Sequence, residues 1–324
     1  MEITLDKKIP VIAVVGPTAS GKTAFAVELA KRFGAEIISA DSMQIYKGMD
    51  IASAKPTKEE MQGIPHHLID FLDSDCTYSV ASFIKDAESA VRDILSRGKR
   101  VIVCGGTGLY VDSFLQNIQF EDEPDNEEIR KKLRERLEKE GIESLYNELY
   151  EKDPETAEAL HINNQGRVLR ALEVLYLTGE KPSVLRERSR CVPSPYEAVY
   201  IYLQYRDREI LYDRINRRVD MMIEKGLVEE AKEYFSLHED YTSAQAIGHK
   251  EIAGYLKGEL SLEEAKDNLK KATRHYAKRQ MTWFRKNSKV HSIYCDDYKD
   301  ISEAVDAAER IINDSNLFKE EDNA

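Results

Sequence analysis

Residues Gly16-Pro17-Thr18-Ala19-Ser20-Gly21-Lys22-Thr23 match the pattern G-x-x-x-x-G-K-[ST]. The glycines let the backbone curl so that its N–H groups point inward, Lys22 brings a full positive charge, and the Thr23 hydroxyl can reach a magnesium ion. That is chemistry for holding a di- or triphosphate, with Gly16, Thr18, Ala19, Ser20, Gly21, Lys22 and Thr23 as the contact positions. The motif works only between a strand and a helix. The run Val11-Ile12-Ala13-Val14-Val15 reads as a buried strand and Ala24–Ala30 as a helix, whose N-terminus adds a partial positive charge.

Two further sites follow from strand ends, because open α/β sheets bind ligands at the carboxyl ends of their strands. A second strand, Glu36–Ser39, runs into Ala40-Asp41-Ser42-Met43-Gln44 and brings Asp41 near the phosphate loop. A carboxylate there repels phosphate, so it serves as a magnesium ligand, a base, an acceptor for a substrate amine or hydroxyl, or the N-cap of the next segment. A fourth strand, Arg100–Cys104, ends in Gly105-Gly106-Thr107. Many phosphate-loop hydrolases carry an Asp at that strand end to hold magnesium and orient water; here a hydroxyl takes its place, which weakens the hydrolase reading. The adjacent His66 and His67 point to opposite faces if they lie on a strand (His67–Asp70 is the expected one), so they do not share a metal. One of them lining the pocket is the better reading. Arg214 and Arg218 are i and i+4 on one helix face, and Arg167 and Arg170 are i and i+3; each pair either grips phosphate or is ordinary solvated surface.

The elements that must position these residues alternate strand and helix through the first 118 residues, which implies a parallel sheet with helices on both faces. After the acidic turn Glu121–Asn126 the pattern is helical as far as Thr178, with no strand candidate; strand character returns at Ala198–Leu203. The expected organisation is a discontinuous α/β phosphate-loop core, residues 1–120 and 190–324, interrupted by an all-α insertion, residues 121–189. No run is long and apolar enough to span a membrane, Met1–Lys8 lacks a signal-peptide core, and four scattered cysteines have no metal or redox spacing. A cytoplasmic protein is expected. The net charge of −12 is uneven: Asn268–Val290 holds eight Lys or Arg and no acid, whereas Cys295–Ala324 holds ten acids against three bases. The basic stretch is either a phosphate-backbone contact or a solvated helix face, though such faces usually mix both signs.

Taken together, GPTASGKT (Gly16–Thr23), ISADSMQIYKGMDIASAKP (Ile38–Pro56), PHHLID (Pro65–Asp70), GGTGLY (Gly105–Tyr110), RALEV (Arg170–Val174), QAIGHKE (Gln245–Glu251) and KRQMTWFRK (Lys278–Lys286) resemble, in this order, the tRNA dimethylallyltransferase (tRNA isopentenyltransferase) family. The resemblance spans residues 10 to about 290. It implies transfer of a dimethylallyl group from dimethylallyl diphosphate to the exocyclic N6 amine of the adenosine 3′ of the anticodon (position 37), so that the loop holds a leaving diphosphate rather than ATP. It implies that Asp41 is the catalytic base and that Thr107 and Arg218, with Lys22 and a magnesium ion at Thr23, stabilise the departing charge. Positions matching tRNA contacts are Asp41, Ser42, Met43, Gln44 and Arg130; Gly166, Arg167, Val168, Leu169 and Arg170; Gln245, Ala246, Ile247, Gly248, His249 and Lys250; and Lys278, Arg279, Gln280, Met281, Thr282, Trp283, Phe284 and Arg285. The partner implied is the tRNA anticodon stem-loop, with its target base flipped out; a monomer is expected, since tRNA must enter a wide face. Two departures stand out. His249 sits where relatives often carry Tyr, and no zinc-finger extension follows, as in bacterial-type members. Other readings are an adenylate isopentenyltransferase acting on free nucleotide, a phosphate-loop small-molecule kinase, and an RNA-binding module with a vestigial loop.

Overall fold

Strand β1 (Ile9–Val15) sends alternate side chains into two different cores, as a strand with helices on both faces must. Val11, Ala13 and Val15 enter one core; Ile12 and Val14 enter the other. The computed structural model describes residues 8–120, 127–237 and 247–318. Around β1, six parallel strands run in the order β3-β2-β4-β1-β5-β6. In chain order the first part contains α1 (Lys22–Phe33), β2 (Ala35–Ser39), the single-turn α2 (Lys58–Met61), β3 (His66–His67), α3 (Val80–Ser96), β4 (Arg100–Gly105) and α4 (Gly108–Leu115). Four helices follow, α5 (Glu127–Lys152), α6 (Pro154–Glu158), α7 (Gln165–Thr178) and α8 (Pro182–Arg188). The last part is β5 (Tyr196–Gln204), α9 (Arg208–Glu224), α10 (Leu227–Leu237), α11 (His249–Leu256), α12 (Leu262–Phe284), β6 (Val290–Tyr294) and α13 (Ile301–Asp314).

One sheet face is covered by α3 and α4, with Phe83, Phe114, Tyr202 and Phe284 among its buried aromatics; the other is covered by α1 and α13. The chain divides into two compact units, Met1–Leu115 with Pro195–Ala324, and Gln116–Ser194. The second unit is all-helical among its described residues. Its core is Leu133, Leu145, Leu149, Ala157, Val168, Ala171 and Leu172. Buried Asp153 organises it by accepting from Thr156 N–H (3.2 Å), Thr156 Oγ1 (2.6 Å) and Ser183 N–H (2.9 Å).

The third strand stops earlier than the sequence suggests. Leu68 and Asp70 both take left-handed backbone angles (φ 59° and 55°), which no strand accommodates. Asp70 instead donates its N–H to Gln44 O (2.9 Å) and pairs its carboxylate with Lys55 (2.6 Å).

Gly105, at the end of β4, lies so close to β2 that a Cβ there would collide with the Ala40 carbonyl, which is backbone and cannot yield cheaply. A Gly105→Ala variant is therefore expected to lose about 3 kcal/mol of stability, read as a lowered urea midpoint at unchanged slope.

Candidate active site

The phosphate loop is held open by contacts from outside itself. Gly16 takes φ 154°, and a Cβ there would sit 2.5 Å from Leu203 O on β5. Ala19 adopts φ 62°, a strained angle for a residue with a side chain. Its carbonyl accepts from Arg214 Nε at 2.9 Å. Gly21 caps α1 with no side-chain hydrogen bond, which leaves the first-turn N–H groups open to an anion. Lys22 lies over the loop and donates to Pro17 O at 2.7 Å. Burial pulls its pKa down to about 8; the nearby Arg218 adds to the fall, while Cys104 and Asp41 oppose it. A buried ammonium with its charged form disfavoured in this way is poised to be stabilised by an arriving anion. The Thr23 hydroxyl makes no hydrogen bond among the described residues, so its lone pairs are open. No cluster of three His, Cys, Asp or Glu suited to a metal occurs among those residues. Such a donor set fits magnesium, which typically binds through few protein ligands plus phosphate oxygens and water.

Two expected loop donors are already used, the first being the Ser20 N–H, which donates to Pro17 O (3.3 Å). The Thr18 N–H donates to Gln280 Oε1 (2.8 Å), so it is not free for phosphate. Gln280 in turn donates its Nε2 to Gly106 O (3.0 Å). Only 5 % exposed, it staples the phosphate loop to the end of β4, so its amide is not on offer to RNA.

Asp41 follows β2 directly. Its Oδ1 accepts from Met43 N–H (2.9 Å) and Gln44 N–H (3.4 Å), the turn-capping arrangement considered from sequence. No hydrogen bond engages Oδ2 among the described residues. The carboxylate acts on both Lys22 and Arg218, raising the pKa of each against burial, so it shares their site. Burial is the larger influence on Arg218 and lowers its pKa. Thr107 approaches from β4: its Oγ1 accepts from Ser42 N–H at 3.1 Å, and its own N–H donates to Ala40 O at 3.2 Å. Sequence reasoning missed Tyr276. Its phenol is pushed up by burial and then by Asp41, with hydrogen bonding to Thr107 and Gln280 opposing. The available signal was its i, i+4 spacing from Gln280 on α12.

The arginine pairs divide. Arg218 faces the site, Arg214 braces the loop, and Arg217 is tied to Asp213 at 2.6 Å on the surface. His66 and His67 do not line the pocket. The His66 Nδ1 sits 2.9 Å from Ile64 O, and His67 Nε2 sits 2.7 Å from Glu36 at the opposite end of β2, where Arg97 also binds that carboxylate. An edge strand of only two residues ends before it can carry them to the site.

The positions matched to tRNA contacts fall into distinct surroundings. Gln44 is held internally, its Oε1 accepting from Ser39 Oγ (3.0 Å). Gln245 and Ala246 lie outside the described residues. Ile247 packs partly buried, Gly248 takes φ 117° against Ala52, and Lys250 is exposed. His249 is wholly buried, so direct contact through its ring is excluded. On α12, Lys278, Arg279 and Thr282 are exposed, whereas Met281 and Phe284 are core. Trp283 donates Nε1 to Asp112 (2.6 Å) and lies flush over Gly108. Arg285 borders a cleft of about 530 Å³ beside Arg206, Arg208 and Tyr294. The basic stretch is partly spent internally: Lys270 pairs with Asp220 (2.8 Å) and Arg274 donates to Asn216 (2.6 Å). Its outward cations sit toward the C-terminal half. In the helical unit, Arg130 and Arg170 share Glu173 (2.7 and 3.0 Å). Gly166 and Arg167 are exposed, Leu169 is half-buried, and Val168 is fully buried, so its side chain touches only the core.

Against known proteins, residues 44–287 match the family model for IPP transferase. A tRNA dimethylallyltransferase of Thermoanaerobacter sp. is 49% identical over 298 residues, covering 91% of this chain and 95% of that one. One from Acetivibrio thermocellus is 49% identical over 310 residues, covering 95% and 96%. Among solved structures, a tRNA isopentenylpyrophosphate transferase from Bacillus halodurans superposes with a TM-score of 0.70 at 44% identity, covering 95% of this chain and 98% of that one. A eukaryotic dimethylallyltransferase acting on tRNA gives a TM-score of 0.75 at 32% identity, covering 97% and 79%.

Proposed function

The chain belongs to the tRNA dimethylallyltransferases of the IPP transferase family, and from that premise we propose how its site works. The dimethylallyl group passes from dimethylallyl diphosphate to the N6 amine of the tRNA adenosine 3′ of the anticodon, position 37, and diphosphate leaves. The observation that carries this reading is Asp41 sharing a site with Lys22 and Arg218, while β4 ends in Gly105-Gly106-Thr107 with no water-orienting carboxylate.

An adenine amine is a weak nucleophile because its lone pair is delocalised into the ring. Asp41 Oδ2, left open by the turn that holds Oδ1, accepts a hydrogen bond from N6–H and then the proton as the N6–C bond forms. At the allylic carbon the C–O bond breaks and its electron pair leaves with the diphosphate. Lys22, Arg218, the open N–H groups of Ala19, Gly21, Lys22 and Thr23 and the Thr107 hydroxyl stabilise that departing charge in place before the reaction. The Thr23 hydroxyl would hold a magnesium ion, which supplies further neutralisation of the diphosphate oxygens when bound. The target base is flipped from the anticodon loop into the site. Ser42, Met43, Lys250 and the exposed cations of α12 meet the tRNA on the first unit, and Arg130, Gly166, Arg167 and Arg170 meet it on the helical unit. Action in the cytoplasm fits four cysteines that are all free, and the protein acts as a monomer.

The test is incubation with labelled dimethylallyl diphosphate and either tRNA or AMP. Label is expected in tRNA alone, at position 37. Raising salt is expected to weaken tRNA binding steeply, since Lys and Arg contacts release counterions. Label in AMP alone would support the free-nucleotide transferase instead.

A further inference from the structure

Glu230, on α10, belongs to none of the motifs, yet its carboxylate gathers four hydrogen bonds. Oε2 accepts from the N–H groups of Asp50 (2.8 Å) and Ile51 (2.6 Å); Oε1 accepts from Ala52 N–H (2.9 Å) and lies 2.9 Å from His249 Nε2. Burial pushes this carboxyl up, but the His249 ring and the backbone N–H groups outweigh it and hold the pKa below the ordinary range. The group is therefore a fixed anion and not a pH switch.

Its partners are not themselves tRNA contacts of the proposed function but are joined to two of them, Ser42–Met43 and Lys250. Asp50–Ala52 closes the loop that begins at Asp41, and Gln44 ties the two ends of that loop together through the Ser53 and Ala54 carbonyls (3.5 and 3.4 Å). His249 opens α11, next to exposed Lys250. It is wholly buried, packed at a tilt against Tyr234 (4.8 Å between ring centroids, 42° between planes), and its Nδ1 is left with no hydrogen-bond partner among the described residues. The contact with Glu230 is thus the one hydrogen bond this buried ring makes among the described residues.

We propose that Glu230 is the positioning residue of the acceptor half of the site, locking the Asp41–Ala54 loop and the start of α11 into one rigid surface for tRNA. The proposal rests on the tRNA assignment above. Gln280 performs the matching task for the other substrate, joining the phosphate loop to β4. The two staples share no partner, so the two substrates respond to them separately. Apolar packing of Ile51 and Ala52 against Val219, Leu227 and Ile252 keeps the loop folded when the carboxylate is removed.

The experiment measures kcat and both KM values for Glu230→Ala, Glu230→Gln and His249→Phe in the full chain. Glu230→Ala is expected to raise KM for tRNA roughly tenfold, with kcat and KM for dimethylallyl diphosphate unchanged, as loss of uniform binding requires. Glu230→Gln keeps an acceptor oxygen for Asp50 and Ile51 and recovers part of the loss. His249→Phe preserves the ring volume and is expected to give a rise of about threefold, which keeps the test open if the alanine variant does not fold. A tRNA KM within twofold of the parent in both Glu230 variants overturns the proposal, as does a parallel rise in both KM values. Failure of the tRNA reading itself shows separately, in a parent enzyme that labels AMP and not tRNA.

Discussion

Replacing Asp41 with Asn is expected to lower kcat about a thousandfold while tRNA and dimethylallyl diphosphate still bind. Asn separates the two tasks of this side chain. Its Oδ1 can still accept from the N–H groups of Met43 and Gln44, so the turn after β2 persists. The second position then carries an amide that accepts no proton. Asp41→Ala removes both tasks and is expected to add a rise in tRNA KM to the same loss of kcat, because the Ser42–Gln44 segment loses its anchor. Single-turnover transfer with labelled diphosphate, alongside direct tRNA binding, reads the two effects apart. An Asn variant turning over at the parental rate would refute the base assignment and leave Asp41 as a turn cap only.

The contrast between Asp41 and Gln280 shows what a sequence can and cannot reveal here. The phosphate loop, the strand that feeds it and Asp41 were legible because each depends on local pattern: an apolar run, glycines at fixed spacing, a carboxylate just past a strand. The parallel sheet followed from alternating elements. Gln280 was visible only as part of a basic segment, and its role came out differently because its partners, Thr18 and Gly106, are 262 and 174 positions away. No local period reports such a contact. Glu230 looks like any acid on an amphipathic helix, and what makes it special is three backbone N–H groups near residue 51. The histidine pair failed for a related reason: alternation correctly separated the two side chains, but the chain leaves the strand at Leu68 through a left-handed turn that composition does not announce.

Long-range contacts also account for the glycines of the GGTG segment. Gly105, Gly106 and Gly108 are each required by a neighbour pressed against them: the Ala40 carbonyl, the Gln280 amide and the Trp283 ring. The GGTG segment is thus the seam where the Asp41 loop and α12 meet, with Thr107 between them.

Removing the Lys22 charge is expected to be nearly as damaging to turnover as removing Asp41, with no loss of stability. In the empty protein this lysine carries a pKa of about 8, against 10.5 for a free side chain, mainly through burial. Folding thus disfavours its charged form. That cost is fully present below pH 8 and is relieved as pH rises from 8 toward 10.5. A bound diphosphate stabilises the ammonium and moves its pKa back up, so binding takes up a proton above pH 8. KM for dimethylallyl diphosphate is therefore expected to be flat as pH approaches 8 from neutrality, then to rise about tenfold per unit above it. Lys22→Met keeps the length and apolar stem without the charge. It is expected to melt no lower than the parent, to lose about a hundredfold to a thousandfold in kcat/KM, and to lose the alkaline rise in KM. Lys22→Arg does not rescue it, because a planar fork cannot occupy the point-charge position over the loop. A Met variant that keeps the alkaline rise would assign that titration to another group and remove Lys22 from the leaving-group site.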